Sequence, residues 1–262
     1  AARKRALGTG LITTSGLADA TPGAFLAHAS SRYHYDQVLR GVVESGASVL
    51  IGGDYSSKTK AWSQLTYRRL VDGIEEFAGE QGYAVIRDAE LLATTSAPLL
   101  ALFPPRAGMP IQHGPPLVTS TARAVELMEG GPHGFLLVVE SEVIDEASHD
   151  NDIEETMAGV REFDDAVDWV LRWAATRDDT LVLVLADHET GGPHLLRGEF
   201  ARERVTVRWA HAYHSSQLVP VFAFGPGAEH FTGVFDNTFV APRIAALLGL
   251  EDLPRVAESQ QN

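Results

Sequence analysis

Two apolar runs of six residues restrict the folds open to this chain more than any other feature. Residues 134–139 read GFLLVV and residues 180–185 read TLVLVL. Neither run alternates apolar with polar residues. Each therefore reads as a strand covered on both faces, the pattern of a parallel sheet layered between helices. Between them, Met157, Val160, Phe163, Val167, Val170, Leu171 and Ala174 recur at helical spacing over residues 153–177, with Glu162 and Asp165 on other faces. Strand, helix and strand in that order predict a mostly parallel α/β sheet.

Residues 48–51, 83–86 and 219–224 are further strand candidates. One helix is expected to open at Thr21-Pro22, where Thr can cap and Pro fits the first turn. Another is expected over 238–248, stopped by Gly249. Residues 104–116, rich in Pro and Gly, are expected as an exposed loop, and the polar tail 258–262 as frayed. Residues 54–58 lack the glycine spacing of a phosphate loop and read as an ordinary one. No internal boundary stands out, so residues 1–262 are read as a single α/β domain.

Composition narrows the function classes. At 262 residues and 45% hydrophobic, the chain can bury a sizeable core without covalent staples, and it contains no cysteine for disulfides or thiolate metal sites. A formal net charge of −14 opposes binding to nucleic acid or to anionic membranes. No apolar run reaches transmembrane length. Residues 1–5 are basic but lead into Gly8, Thr9 and Gly10, not into the apolar core of a signal peptide. The same acidity would repel an anionic substrate unless bound divalent cations reversed the local field.

Three strand candidates lie beside residues able to hold such cations. GFLLVV runs into Glu140, TLVLVL runs into Asp187-His188, and His214 stands five residues before Val219. In open α/β sheets ligands bind beyond the carboxyl ends of the strands, which makes a cluster on that edge credible. After Glu140 come Asp145 and, four residues later, His149. On a helical turn that spacing sets carboxylate and imidazole on one face, a geometry suited to zinc. Taken alone, the D-x-x-x-H pair and the Asp187-His188 pair are both weak signals. His28, His34, His113, His133, His194, His211 and His230 have no partner at ligand spacing and read as surface or hydrogen-bonded histidines. The run 150–152 reads as a solvated turn or a helix start. Arg32 has the forked donors for bidentate phosphate contact, although a surface salt bridge is the simpler reading of it.

The order of these motifs resembles the alkaline phosphatase family. The match runs through TTSGLADATPGAFLAHASSR (13–32), GFLLVVESEVIDEASHDND (134–152), EFDDAV (162–167), LADHETGG (185–192), HSSQLVPVFAFGPGAE (214–229) and the FDN-plus-helix ending. The resemblance implies a three-layer α/β sandwich with a mostly parallel central sheet. It makes Asp145, His149 and His214 the ligands of a first zinc, and Asp187 and His188 ligands of a second. Asp19, Thr21 and Glu140 become the shell of a magnesium ion, with Asp rather than His at position 19 favouring the all-oxygen magnesium version. Arg32 becomes the clamp on substrate phosphate.

The activity so implied is hydrolysis of phosphate monoesters by in-line transfer to a serine through two Zn²⁺ and one Mg²⁺. With it come small phosphate monoesters as substrates, a homodimer, and a periplasmic or extracellular location. The family's nucleophilic serine, in an Asp-Ser-Ala context, and the aspartate bridging the second zinc and the magnesium have no counterpart in residues 1–262. The resemblance is therefore to the family's C-terminal two-thirds, truncated at the N-terminus, and the chain on its own is expected to be inactive. The alternative is a naturally truncated, non-catalytic protein that binds metal or phosphate. A phosphodiesterase or sulfatase relative is disfavoured by the magnesium set and Arg32.

Overall fold

Along the central strands successive side chains point to opposite faces of the sheet, and both faces are buried. In the computed structural model, which describes residues 2, 6–53, 73–106, 109–199 and 204–250, five strands form one parallel sheet. They are β1 (Gly8–Gly16), β2 (Val49–Gly53), β3 (Ala84–Ile86), β4 (Leu99–Phe103) and β7 (Phe135–Glu140), in the order β3-β4-β2-β1-β7. Leu11, Leu50, Leu100 and Leu102 point to one face, where they meet Val38, Leu39 and Val42 of helix α2 (Tyr35–Glu44). Ile12, Val49, Ile51, Leu99, Ala101 and Phe103 point to the other. There they meet Leu117, Ala124 and Met128 of α3 (Leu117–Met128) and Ala166 of α5 (Ile153–Ala174). Helix, sheet and helix thus make three layers, with the apolar run 134–139 as one strand of the sheet.

The strand–helix–strand expectation for 134–185 needs correction at its last step. α5 follows β7, but β8 (Val182–Leu185) pairs antiparallel with β13 (Val221–Phe224) and lies outside the five-stranded sheet. The periodicity fixed the helix and both strands; it carries no information about which strand edge the second one meets. Between α5 and the β8–β13 ribbon runs an apolar furrow of about 360 Å³, lined by residues such as Phe163, Val167, Val182 and Val184. Phe222, Phe224 and Val160 along it are 63%, 43% and 47% exposed.

Smaller differences concern the ends of elements. Helix α1 (Ala20–Leu26) is capped not by Thr21 but by Asp19, whose Oδ1 accepts the Ala20 amide at 2.7 Å. In the expected loop 104–116, β5 (Pro105–Arg106) and β6 (Met109–His113) pair antiparallel, as β10 (His194–Glu199) and β11 (Arg204–Arg208) do further along. The run 150–152 is a helix start, with Asp152 accepting the Glu154 and Glu155 amides at 3.0 Å. The expected C-terminal helix is a single turn at Asn237–Phe239 continued by α6 (Val240–Leu247). The readings of 54–58 and of 258–262 lie outside the described residues. No helix among the described residues is long and apolar enough to cross a membrane.

Candidate metal centre

Because β1 and β7 are parallel neighbours, their carboxyl ends deliver chemistry to the same edge of the sheet. Their register sets Thr13 opposite Glu140. Just beyond β7, helix α4 (Val143–His149) begins, tied to β1 by the Glu142 amide donating to Thr14 Oγ1 at 3.0 Å. Asp145 in its first turn complements the nearby end of the helix dipole, and His149 closes its last turn. Their spacing aims both side chains to one side.

A second short ribbon brings His214 to meet them. β9 (Glu189–Thr190) pairs antiparallel with β12 (His214–Ser215), with Thr190 opposite His214 and Glu189 opposite Ser215. Ligand atoms of Asp145, His149 and His214 all lie within 4.8 Å of one another. His149 Nε2 is 3.0 Å from His214 Nε2 and 3.4 Å from Asp145 Oδ2, and His214 Nε2 is 3.4 Å from Asp145 Oδ1. Ligands held about 2.0–2.1 Å from a tetrahedral zinc are separated by roughly 3.3 Å, so the triangle has the size a zinc ion needs. His149 Nδ1 lies 2.8 Å from the carbonyl of Ala212. A proton donated there leaves Nε2 as a lone pair facing the centre, the arrangement of a histidine ligand with its second nitrogen engaged. The Thr190 hydroxyl donates to Asp145 Oδ1 and so orients the carboxylate.

Asp187 and His188 stand two and three residues past β8, where the chain turns. His188 Nε2 is 3.1 Å from Asp187 Oδ2, and its ring stacks on His214 with centroids 3.5 Å apart. The pair therefore adjoins the Asp145/His149/His214 cluster. Among the described residues no third His or carboxylate closes a second group of that kind around it.

The residues of the magnesium set also converge. Glu140 Oε2 accepts the Thr13 hydroxyl at 2.6 Å, and Thr21 is a further hydrogen-bond partner of the same carboxyl. Asp19, only 4% exposed, accepts Arg32 Nη2 at 2.6 Å through the oxygen that also caps α1. Arg32 is thus in a salt bridge, with its side chain 40% exposed. Carboxylates and hydroxyls are the donors a magnesium ion prefers, so the chemistry of this set fits it.

Burial pushes the Glu140 carboxyl above its ordinary value; Thr13 and Thr21 pull it down, while Asp19 and Asp187 push it up again. Between the ordinary and the raised value, the folded chain holds a proton that the unfolded chain has shed. Stability must therefore fall as pH rises through that window. In chelator, the thermal midpoint is expected to decline as pH climbs from about 4.3, the ordinary glutamate value. Glu140→Gln should flatten that part of the profile in the same melts; an unchanged slope would refute the assignment.

Some contributors gave no sign in the sequence. Thr13 and Thr190 orient the Glu140 and Asp145 carboxylates through single hydroxyls, and no spacing rule predicts such long-range pairs. Glu189 is another: its carboxylate accepts the Ser215 hydroxyl and, at 2.5 Å, the Gly192 amide. Burial opposes its ionisation, but these bonds, with His211 and His188 nearby, outweigh it and hold the carboxyl below its ordinary value. The Gly191-Gly192 turn that supplies the amide has φ of +83° and +58°. A Cβ on Gly191 would lie 2.6 Å from the Trp209 ring, which is why the motif ends in glycines. Among the described residues, histidines read as bystanders stay outside the cluster; His34 Nδ1, for instance, sits 3.2 Å from Ser30 Oγ, while the side chain of His113 lies outside the description.

With this geometry in view, likeness to known proteins is informative. The sequence model of the family described as alkaline phosphatase matches residues 1–201. Alkaline phosphatase 4 of Bacillus subtilis (strain 168) is 25% identical over an alignment covering 94% of this chain and 68% of that protein. The cold-active alkaline phosphatase of the psychrophile Shewanella sp. superposes with a TM-score of 0.76 at 24% identity, over 94% of this chain and 77% of the other. A histidine-to-aspartate mutant of the TAB5 alkaline phosphatase, with Mg bound in its M3 site, gives a TM-score of 0.74 at 25% identity, covering 95% of this chain and 74% of that one.

Proposed function

Because this chain belongs to the alkaline phosphatase family, we infer that its metal centre serves the hydrolysis of phosphate monoesters. The observation that carries the inference is the zinc-sized triangle of Asp145, His149 and His214, with His188 stacked against it. In this reading the triangle holds one zinc, Asp187 and His188 contribute to a second, and Asp19, Thr21 and Glu140 hold magnesium. The histidine-to-aspartate TAB5 mutant with Mg in its M3 site supports magnesium beside an aspartate such as Asp19. Bound there, the cations supply Lewis-acid stabilisation of the oxygens entering and leaving phosphorus. They also offset the −14 net charge that would otherwise repel an anionic substrate.

The protein's own residues bind and orient. Arg32, at the rim and exposed enough to reach a ligand, presents a fork of donors to non-bridging phosphate oxygens. Asp19 holds that fork toward the edge where Glu140 ends its strand. His149, fixed by the Ala212 carbonyl, keeps its lone pair inward. With the family reading go a homodimer and action outside the cytoplasm.

A second reading, metal and phosphate binding without turnover, is favoured by the state of the serines near the cluster. Ser215 gives its hydroxyl to Glu189, and Ser148 gives its own to the Ile144 carbonyl at 2.7 Å. Neither Ser215 nor Ser148 is therefore assigned the nucleophile's part.

One experiment addresses both readings. The Zn²⁺- and Mg²⁺-loaded 262-residue chain is titrated with inorganic phosphate and assayed on an aryl phosphate. Phosphate binding without appreciable turnover is expected. Arg32→Ala should weaken phosphate by about 10- to 100-fold, the worth of one or two charge-assisted hydrogen bonds. Rapid turnover would overturn the statement about the nucleophile, and absence of zinc binding would sink the metal-centre reading entirely.

A further inference from the structure

Glu189 lies in the stretch 185–192 between two metal-ligand candidates and a glycine turn, yet is itself assigned no metal. The ladder it belongs to has only two residue pairs, Glu189 with Ser215 and Thr190 with His214. So short a ribbon is marginal by itself. Its position is nonetheless critical. Asp187 and His188 lead directly into β9, and His214 is the first residue of β12. Whatever holds the ribbon closed therefore sets the distance between the two groups of ligands, seen here as the 3.5 Å stack of the His188 and His214 rings.

The Glu189 side chain supplies that hold. One carboxylate oxygen takes the Ser215 hydroxyl from across the ribbon, and the other takes the Gly192 amide at 2.5 Å from the turn that follows. The Gly191 amide closes the same turn onto the Tyr213 carbonyl at 3.0 Å. His211 Nε2 approaches the Ser215-bound oxygen at 3.9 Å, and the carboxylate is only 16% exposed. As a carboxylate, Glu189 accepts both donors, one on each oxygen. A glutamine could still accept the Gly192 amide and donate its NH₂ to a reoriented Ser215 hydroxyl, but it would replace two bonds to a charged acceptor with weaker neutral ones.

We propose that Glu189 is a positioning residue that clamps the β9–β12 ribbon and so fixes the spacing between the His214 site and the Asp187/His188 site. This rests on the metal-centre reading above, and the test separates the two. Co²⁺ alone is titrated into the full chain and into Glu189→Ala, Glu189→Gln and Ser215→Ala, following the visible d–d bands. Loss of an outer partner typically costs 10- to 100-fold in metal affinity. Glu189→Ala is expected to weaken Co²⁺ by about that factor and to alter the band shape. Its metal-free thermal midpoint should stay near that of the parent. Glu189→Gln should fall between the two, and adding Ser215→Ala to Glu189→Ala should change little further.

Parent-like affinity and spectrum in Glu189→Ala would overturn the clamp. If Glu189→Ala fails to fold, Glu189→Gln and Ser215→Ala carry the same comparison. If the parent chain itself binds no Co²⁺, the metal-centre reading fails. The clamp is then judged by amide exchange in the metal-free protein, where faster exchange at Gly191 and Gly192 in the Gln variant supports it and unchanged exchange refutes it.

Discussion

Zinc affinity at the Asp145/His149/His214 cluster is expected to fall by more than about 100-fold in His214→Ala, since loss of an outer partner alone costs 10- to 100-fold. The two imidazole Nε2 atoms lie 3.0 Å apart and each is 3.4 Å from one oxygen of Asp145, so removing His214 leaves a carboxylate and a single imidazole. No other described His or carboxylate is placed to complete the group. The fold should survive, because the pairing of position 214 with Thr190 is made by the backbone and the side chain is 42% exposed. Competition against a chromophoric chelator measures the change. His230→Ala is the control, with an exposed ring whose nearest carboxylate, Glu229, is 3.9 Å away. An unaltered tightest site in His214→Ala would remove the cluster from consideration as the primary zinc position.

Leu50→Ala should cost about 2–5 kcal/mol, the range for emptying a well-packed leucine site. Leu50 is fully buried in β2, between β4 and β1 in the middle of the sheet. It shares a cluster with Leu11 and Leu100 and with Val38, Leu39 and Val42 of α2. Neighbours held by a parallel ladder on both sides cannot collapse into the void, which puts the expected cost toward the upper part of that range. Denaturant titration gives the number directly. Leu218→Ala, at an 81% exposed position, should stay within about 0.5 kcal/mol in the same titration. Similar losses at both positions would mean that the sheet is not the stabilising centre of the molecule.

Strands such as β7 and β8 were legible in the sequence because nothing polar interrupts them. β1 was not, although it is a central strand. Its sequence GTGLITTSG carries glycines and hydroxyls that read as loop chemistry, yet positions Gly10 to Gly16 are all buried. The reason is physical. Gly10 faces the Met128 and Leu137 side chains so closely that a Cβ there would sit 2.8–2.9 Å from them, and Thr13 is spent on Glu140. Small and hydroxyl residues here answer to tertiary neighbours, which a local pattern does not record. The partner of β8 escaped for a related reason, since periodicity reports what a strand buries and not which edge it joins. At the metal centre, the i,i+4 pair Asp145–His149 was visible as a helix pattern. His214, 65 residues further on, could be joined to it only through the order of motifs, because the fold alone brings the β9–β12 ribbon to α4.

The apolar furrow beside α5 has a consequence for how copies of this chain behave toward one another. Phe222 and Phe224 offer adhesive surface, while the net charge of −14 makes every pair of molecules repel. The two act over different ranges. At low ionic strength the repulsion reaches well beyond the surface, but at about 0.15 M salt it decays over roughly 8 Å, close to the size of a side chain. Adhesion needs contact and gains from excluded salts such as sulfate. Colloidal stability of this protein is thus governed by ionic strength before concentration: dilute buffer keeps molecules apart by charge, and salting brings the furrow into play.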